Sequence, residues 1–220
     1  MADFKKIINF IIKEIEGKYS INRKDKGNYK NWTISESNWL GTNWGISGAF
    51  IYSFDKTITE AKMRAMTKEK AISIYQKYFW NGLGFGELKS NAIAFQFFDH
   101  YLNRGNITKD LKIFLKEKYP WIKSSSNRLT TDEVAMINNI GDVKFYKYLQ
   151  LCRYKDYQKY YPSAHNMKRP YMWMNLDYNY PNTAEAEKKK TKRIRFPVNP
   201  APRSWIDDLF SKPLYRKVEG

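Results

Sequence analysis

Cysteine and histidine are nearly missing from this chain of 220 residues: Cys152 stands alone, with only His100 and His165 beside it. A single thiol excludes an internal disulfide framework and a cysteine-built zinc site. Two histidines leave a catalytic metal centre short of its usual ligands, so no metal or organic cofactor is expected. Acids are scarce too, 22 against 39 Lys and Arg, for a formal net charge of +17. That imbalance implies a polyanionic partner, and nucleic acid, an anionic membrane and an acidic wall polymer all qualify. No apolar run approaches the ~18 residues that span a bilayer, so no membrane span is expected. No internal repeat is visible.

Aromatic residues, by contrast, are abundant: 17 Tyr, 13 Phe and 7 Trp in a chain that is 42% apolar. Such a chain can build a real core and is not a disordered one. The first residues, Met1 to Lys6, lead into an apolar pattern broken by Asn9 and Lys13. Glu14 and Glu16 then stand where a signal peptide would place small residues, so synthesis in a cytoplasm without a signal peptide is the reading.

Phe4, Ile7, Ile8, Ile11, Ile12 and Ile15 recur at steps of three and four. They predict an amphipathic helix over 3–16 with Asp3 as N-cap and Gly17 as its end. Residues 17–50 lose this period and read as a loop-rich lobe with room for a short antiparallel hairpin. Thr67 caps a second helix through Ala71, Ile72, Tyr75, Tyr78 and Phe79. The glycines at 82, 84 and 86 are spaced too evenly for a phosphate-binding loop and read as a tight connection. Ser90 opens a third helix through Ala94, Phe97, Phe98, Tyr101 and Leu102, closed by Gly105. Thr108 and Thr130 open two shorter ones, and residues 142–161 form a helix rich in Tyr and Lys.

The fold class expected is mainly α (α+β). A helical domain over 1–180 carries a small irregular or β lobe after its first helix, and a basic C-terminal arm follows over 181–220. Residues 183–220 hold ten basic residues against five acids, with four prolines and the run Lys188-Lys189-Lys190-Thr191-Lys192-Arg193. Such an arm orders only by docking. It reads as a solvated tail, as a tether to an anionic polymer, or as an assembly peptide. The stripe Trp205, Ile206, Leu209 and Phe210 is costly to leave in water, which favours the last.

Glu16 stands where an apolar helix meets a polar, aromatic-rich loop, and partial desolvation there would keep it protonated as a general acid. Asp25 follows in a solvated loop that keeps it ionised, and the Thr42 hydroxyl is suited to orienting a water. Two carboxyls in unlike surroundings are what glycosidic hydrolysis requires. Spacing alone favours plainer roles, a solvated glutamate and a turn-forming aspartate. Trp32, Trp39 and Trp44 offer faces on which sugar rings stack; packing within the lobe is the competing role, and for Trp44 the favoured one. Asn103 and Arg104 are candidates to reach a cleft, Arg104 equally a surface charge. Asp99 reads as a structural hydrogen-bond acceptor, His100 as structural or exposed, and Cys152 as a small buried apolar group.

Three segments in order carry a family resemblance: Glu16-Gly17-Lys18-Tyr19, then Asp25-Lys26-Gly27, then Gly41-Thr42-Asn43-Trp44-Gly45-Ile46-Ser47. Together they resemble the signature of the glycoside hydrolase family 108 peptidoglycan hydrolases. Tyr75 with Tyr78-Phe79-Trp80, the segment Phe98 to Gly105, the pair Arg153 and Tyr157, and Trp173 resemble later family segments, so the likeness runs over roughly 4–176. The resemblance implies a lysozyme-like fold and a muramidase that cuts the N-acetylmuramic acid to N-acetylglucosamine bond of peptidoglycan strands. Glu16 is then the catalytic acid, Asp25 its electrostatic partner and Thr42 the orienting hydroxyl. Tyr19, Trp32, Trp39, Trp44, Asn103 and Arg104 become substrate-binding candidates. The setting it implies is a bacteriophage endolysin, made in the bacterial host cytoplasm and acting on the wall. A virion or injection-particle component, docked through residues 183–220, is the related setting. Departures are Lys18 for a glycine, a lost second glycine after Asp25, and about a dozen inserted residues near Asn28–Trp39. A particle component that keeps the fold without cutting, and a basic nucleic-acid binder, are the rival functions.

Overall fold

The structure is a computed structural model that describes residues 1–14, 19–105, 111–122, 126–140 and 142–160. The expectations for Glu16, Gly17, Thr108, Trp173 and the arm lie outside the described residues.

Helix α1 (Phe4–Glu14) begins as its sequence requires. The Asp3 carboxylate accepts the Lys6 N–H at 3.2 Å, satisfying one of the donors that a first helical turn leaves orphaned. Phe4, Ile7, Ile8, Ile11 and Ile12 are all buried. The Asp3 N–H donates to Asn91 Oδ1 at 2.6 Å. That bond ties the head of α1 to the head of the central helix, α5 (Asn91–Arg104).

In α5, Ser90 accepts the Ile93 N–H at 3.3 Å, and Gly105 closes the last turn at φ +63°. Residues Asn91 to His100 are buried without interruption, which makes α5 a helix enclosed on all sides rather than a surface one. Rings pack edge-on against it: Phe4, Tyr75 and Trp80 all meet Phe98.

Helices α2 (Gly48–Phe54), α3 (Glu60–Arg64) and α4 (Lys68–Tyr75) follow, the last prolonged by a π-helical turn over Gln76–Trp80. Only the helix at Thr67 was expected; α2 starts inside the stretch read as loop, and α3 was not foreseen. At seven and five residues, both are too short to repeat an apolar period, and helices of that length stand on tertiary packing. Each starts on a side-chain cap: Ser47 accepts the Phe50 N–H and Thr59 the Lys62 N–H.

Gly82 and Gly84 turn the chain at φ +76° and +79°, the tight connection expected. Beyond α5 come α6 (Leu111–Lys116), α7 (Thr131–Asn139) and α8 (Asp142–Tyr160). Thr130 and Glu133 cap α7 reciprocally, and Glu133 also pairs with buried Lys112 at 2.7 Å. Helix α8 lies against α5, α6 and α7. Arg153 from α8 reaches Asp99 of α5 at 2.5 Å and also bonds Gln96. Asp99 is thus the structural acceptor it was read to be.

Between α1 and α2 sits the lobe: three 3-10 turns and one hairpin. Strands β1 (Thr42–Asn43) and β2 (Ile46–Ser47) pair antiparallel, Thr42 opposite Ser47. Trp44 and Gly45 connect them at φ +52° and +76°, the sign that a two-residue hairpin loop demands on both residues. The fold is mainly α with this small β element, and among the described residues no helix is long and apolar enough to cross a membrane.

Candidate functional site

The lobe is organised around Asn28, which is fully buried. Its carbonyl accepts the N–H groups of Leu40 and Gly41 at 2.9 Å each. Its amide donates to the Asn22 carbonyl at 2.8 Å, and its Oδ1 accepts the Thr42 hydroxyl at 2.5 Å. Because that proton is committed to Asn28, the Thr42 oxygen can offer only lone pairs outward, to a water or a sugar hydroxyl. Thr42 also pairs across to Ser20, whose N–H donates to the Thr42 carbonyl at 2.7 Å.

Asp25 is exposed and caps the first 3-10 turn, accepting the Gly27 N–H at 2.9 Å. A Cβ placed on Gly27 would lie 3.2 Å from Asp25 Oδ1 and 3.5 Å from both Ser47 Cβ and the Trp32 ring. Asp25, Trp32 and the strand partner of Thr42 therefore gather around one glycine. Trp32 is 58% exposed and sits at φ +60°, directly after Asn31 at φ +53°. An indole in the left-handed region is an outlier, held by its surroundings at a cost of order 1–3 kcal/mol.

The other candidates fall elsewhere in the architecture. Trp39 is 6% exposed, edge-on to Tyr29 and covered by the Arg23 guanidinium at 4.0 Å; both features make it a wall of the lobe. Trp44 donates its indole N–H to the Met66 carbonyl at 2.9 Å and packs on the core. Asn103 is exposed and its amide turns back to the Asp99 carbonyl at 2.6 Å. Arg104, almost buried, pairs with Asp156 of α8 at 3.0 Å, so it is neither a surface charge nor a member of the group around Gly27. His100 is buried. Cys152 is buried as well, and burial pushes its thiol up to about 12.

Tyr19, three residues after Glu16, is tied down from three sides. Its hydroxyl bonds the Leu40 carbonyl at 2.9 Å and Glu60 at 3.2 Å, and the Arg64 guanidinium lies 4.1 Å over its ring. Gly41 makes room for that ring: at φ +80°, a Cβ there would approach it to 2.3 Å. Burial, then the Glu60 charge, raises the Tyr19 pKa, so the hydroxyl stays a donor. The hydrogen bond from Arg64 holds Glu60 below the usual carboxylate range. Asn28, Glu60 and Arg64 were not singled out from the sequence. Asn28 is one of five Asn between residues 20 and 43, and nothing in its spacing separates it from the rest. Two surface grooves, of about 450 and 390 Å³, are lined by none of these residues.

An enclosed helix beside a small hairpin-bearing lobe is a mainly α arrangement of the lysozyme-like kind. Residues 8–105 match the model of the family Glycosyl hydrolase 108. The matched span runs from α1 through the lobe to the end of α5 and takes in the first three motif segments. The match stops at 105, so the later likenesses at Arg153, Tyr157 and Trp173 fall beyond it. The family is one of glycoside hydrolases, and peptidoglycan hydrolysis is the activity it implies. No curated protein matches the chain. Six solved chains do; one is the structure of Brucella abortus SagA, 18% identical, with a TM-score of 0.52 over 79% of this chain and 97% of that one. At that identity the likeness speaks for the fold.

Proposed function

We infer that the protein is an N-acetylmuramidase that cleaves the bond between N-acetylmuramic acid and N-acetylglucosamine by general acid catalysis. Glu16 donates the proton to the leaving oxygen. Asp25 stabilises the oxocarbenium-like centre, and Thr42 accepts a hydrogen bond from the attacking water or a sugar hydroxyl. Trp32 presents a face on which a sugar ring stacks. The observation that carries the reading is the family match across residues 8–105, which takes in Glu16, Asp25, Trp32 and Thr42. The hydroxyl held by Asn28 and the grouping around Gly27 are consistent with it. In this reading residues 1–180 are the glycosidase and 181–220 an arm, and the enzyme reaches the wall from a bacteriophage or an injection particle.

Mass spectrometry of sugar fragments released from defined peptidoglycan tests it. Muramic-acid reducing ends should accumulate with wild type. Glu16→Gln should lower the rate about 10³-fold, within the range a general acid contributes. Asp25→Asn and Thr42→Ala should cost less. Wild type and Glu16→Gln alike inactive on several walls would instead favour the structural particle role.

A further inference from the structure

The groove of about 450 Å³ lies between α2, α3 and α4, outside the group around Gly27. Its floor is apolar, with Ile51, Ile58, Met66 and Ile74. At its rim Phe54 and Tyr78 stack, centroids 4.7 Å apart and planes 18° apart. They remain 45% and 37% exposed, which is unusual for a stacked pair unless something covers it. Lysines surround this rim. Lys70 and Lys77 stand two turns apart along α4 and its π-helical extension, and Lys77 lies 4.9 Å over the Tyr78 ring. Lys62, bonded to the Thr57 carbonyl and hydroxyl, adds a third cation, and among the described residues Asp55 is the only acid in the lining. The groove is thus shaped for a short apolar segment that brings negative charge.

The chain contains such a segment in its arm. Between Lys188 and Lys217 the only acids are Asp207 and Asp208, and they are enclosed by Trp205-Ile206 and Leu209-Phe210. The steps 205 to 209 and 206 to 210 put the four apolar residues on one face of a helix. Ser204 with Asp207 is the spacing of a capping box, and Pro213 follows as a stop. We propose that residues Ser204–Phe210 of the arm dock as an amphipathic turn in the α2–α3–α4 groove of their own chain. Trp205, Ile206, Leu209 and Phe210 cover the Phe54–Tyr78 stack, and Asp207 and Asp208 meet Lys70 and Lys77. The arm supplies the reach, since the 24 residues from 181 to 204 can extend to about 80 Å. Tethering holds the segment at an effective concentration on the order of millimolar, so a modest intrinsic affinity fills the groove. Docking closes the intervening basic run into a loop anchored at both ends. The proposal does not depend on the catalytic reading.

The experiment uses the full chain and chymotrypsin, with cleavage sites followed by mass spectrometry. Synthetic peptide 200–220 serves as the undocked reference, and Tyr215, in the same arm, as the internal control. Wild type should be cut at Trp205, Leu209 and Phe210 at least about tenfold more slowly than the peptide, while Tyr215 is cut at the peptide's rate. Lys70→Glu with Lys77→Glu should abolish the protection, as should Asp207→Lys with Asp208→Lys. All four changes together should restore it. Circular dichroism of each variant separates loss of docking from loss of fold. Unprotected sites in wild type would overturn the proposal. Protection indifferent to the lysines would do the same, and so would protection that vanishes on dilution, which would assign the segment to a second copy.

Discussion

Trp32 shows at a single residue how the lobe sets conformation against exposure. A bulky residue at φ +60° that is also 58% exposed gains little from burial and is held in a strained state. Strain of this kind collects where a side chain is needed in a particular place. Trp32→Gly should leave thermal stability unchanged or raise it by up to about 1 kcal/mol, since glycine adopts this conformation freely. It should also weaken binding to insoluble peptidoglycan about tenfold, the worth of one good stacking contact. Pelleting assays and calorimetry on the same preparations check both halves. A large loss of stability would mean that the indole serves packing. The sequence marked Trp32 only as one of three tryptophans. Backbone sign and exposure distinguish it from Trp39, which Arg23 and Tyr29 cover, and from Trp44, whose N–H is taken by Met66.

At the scale of elements, α5 was legible in outline because it carries both of its signals: the Ser90 cap and the Gly105 stop delimit it as read. Helix α1 was legible through its period, and α7 through Thr130. Helices α2 and α3 were not, since five to seven residues hold less than two turns of pattern. What joins α5 to α8 was legible only in part. Asp99 could be read as an acceptor from its apolar neighbours, but Arg153, 54 positions away, is its partner only because the two helices pack. The guanidinium is buried and also bonds Gln96. Removing it takes a guanidinium at 2.5 Å away from the buried Asp99 carboxylate. Arg153→Met should therefore destabilise by about 3–5 kcal/mol. Combining it with Asp99→Leu should recover part of that loss, because an apolar pair carries no desolvation penalty. Urea unfolding of the single and double variants measures the difference.

For the whole molecule, the same interface makes stability depend on pH through His100. Burial, then the Arg153 and Arg104 guanidiniums, push its pKa well below the ordinary value, against the smaller opposing effect of Asp99. The Asp156 carboxylate lies 3.9 Å away and the Tyr157 ring stands edge-on. The folded ring therefore stays neutral while the unfolded chain protonates near pH 6.5. Stability from this group is complete above that pH. It is lost as pH falls from 6.5 toward the depressed folded value, by at most about 1.4 kcal/mol per unit. Unfolding midpoints between pH 7.5 and 5 should decline in wild type and flatten in His100→Gln; parallel slopes would assign the dependence to other groups.

The amino-acid order alone determined the mainly helical class, both ends of α5, the start of α7 and the family motifs, because periodicity, caps and short motifs are local properties. Tertiary structure alone decided that Asn28 holds Thr42, that Asp25 and Trp32 share a glycine with the hairpin, and that Arg104 pairs with Asp156 of α8. Those partnerships join residues 7 to 52 positions apart. Such distances close only when apolar burial brings the chain together, and no local pattern encodes which polar groups then meet.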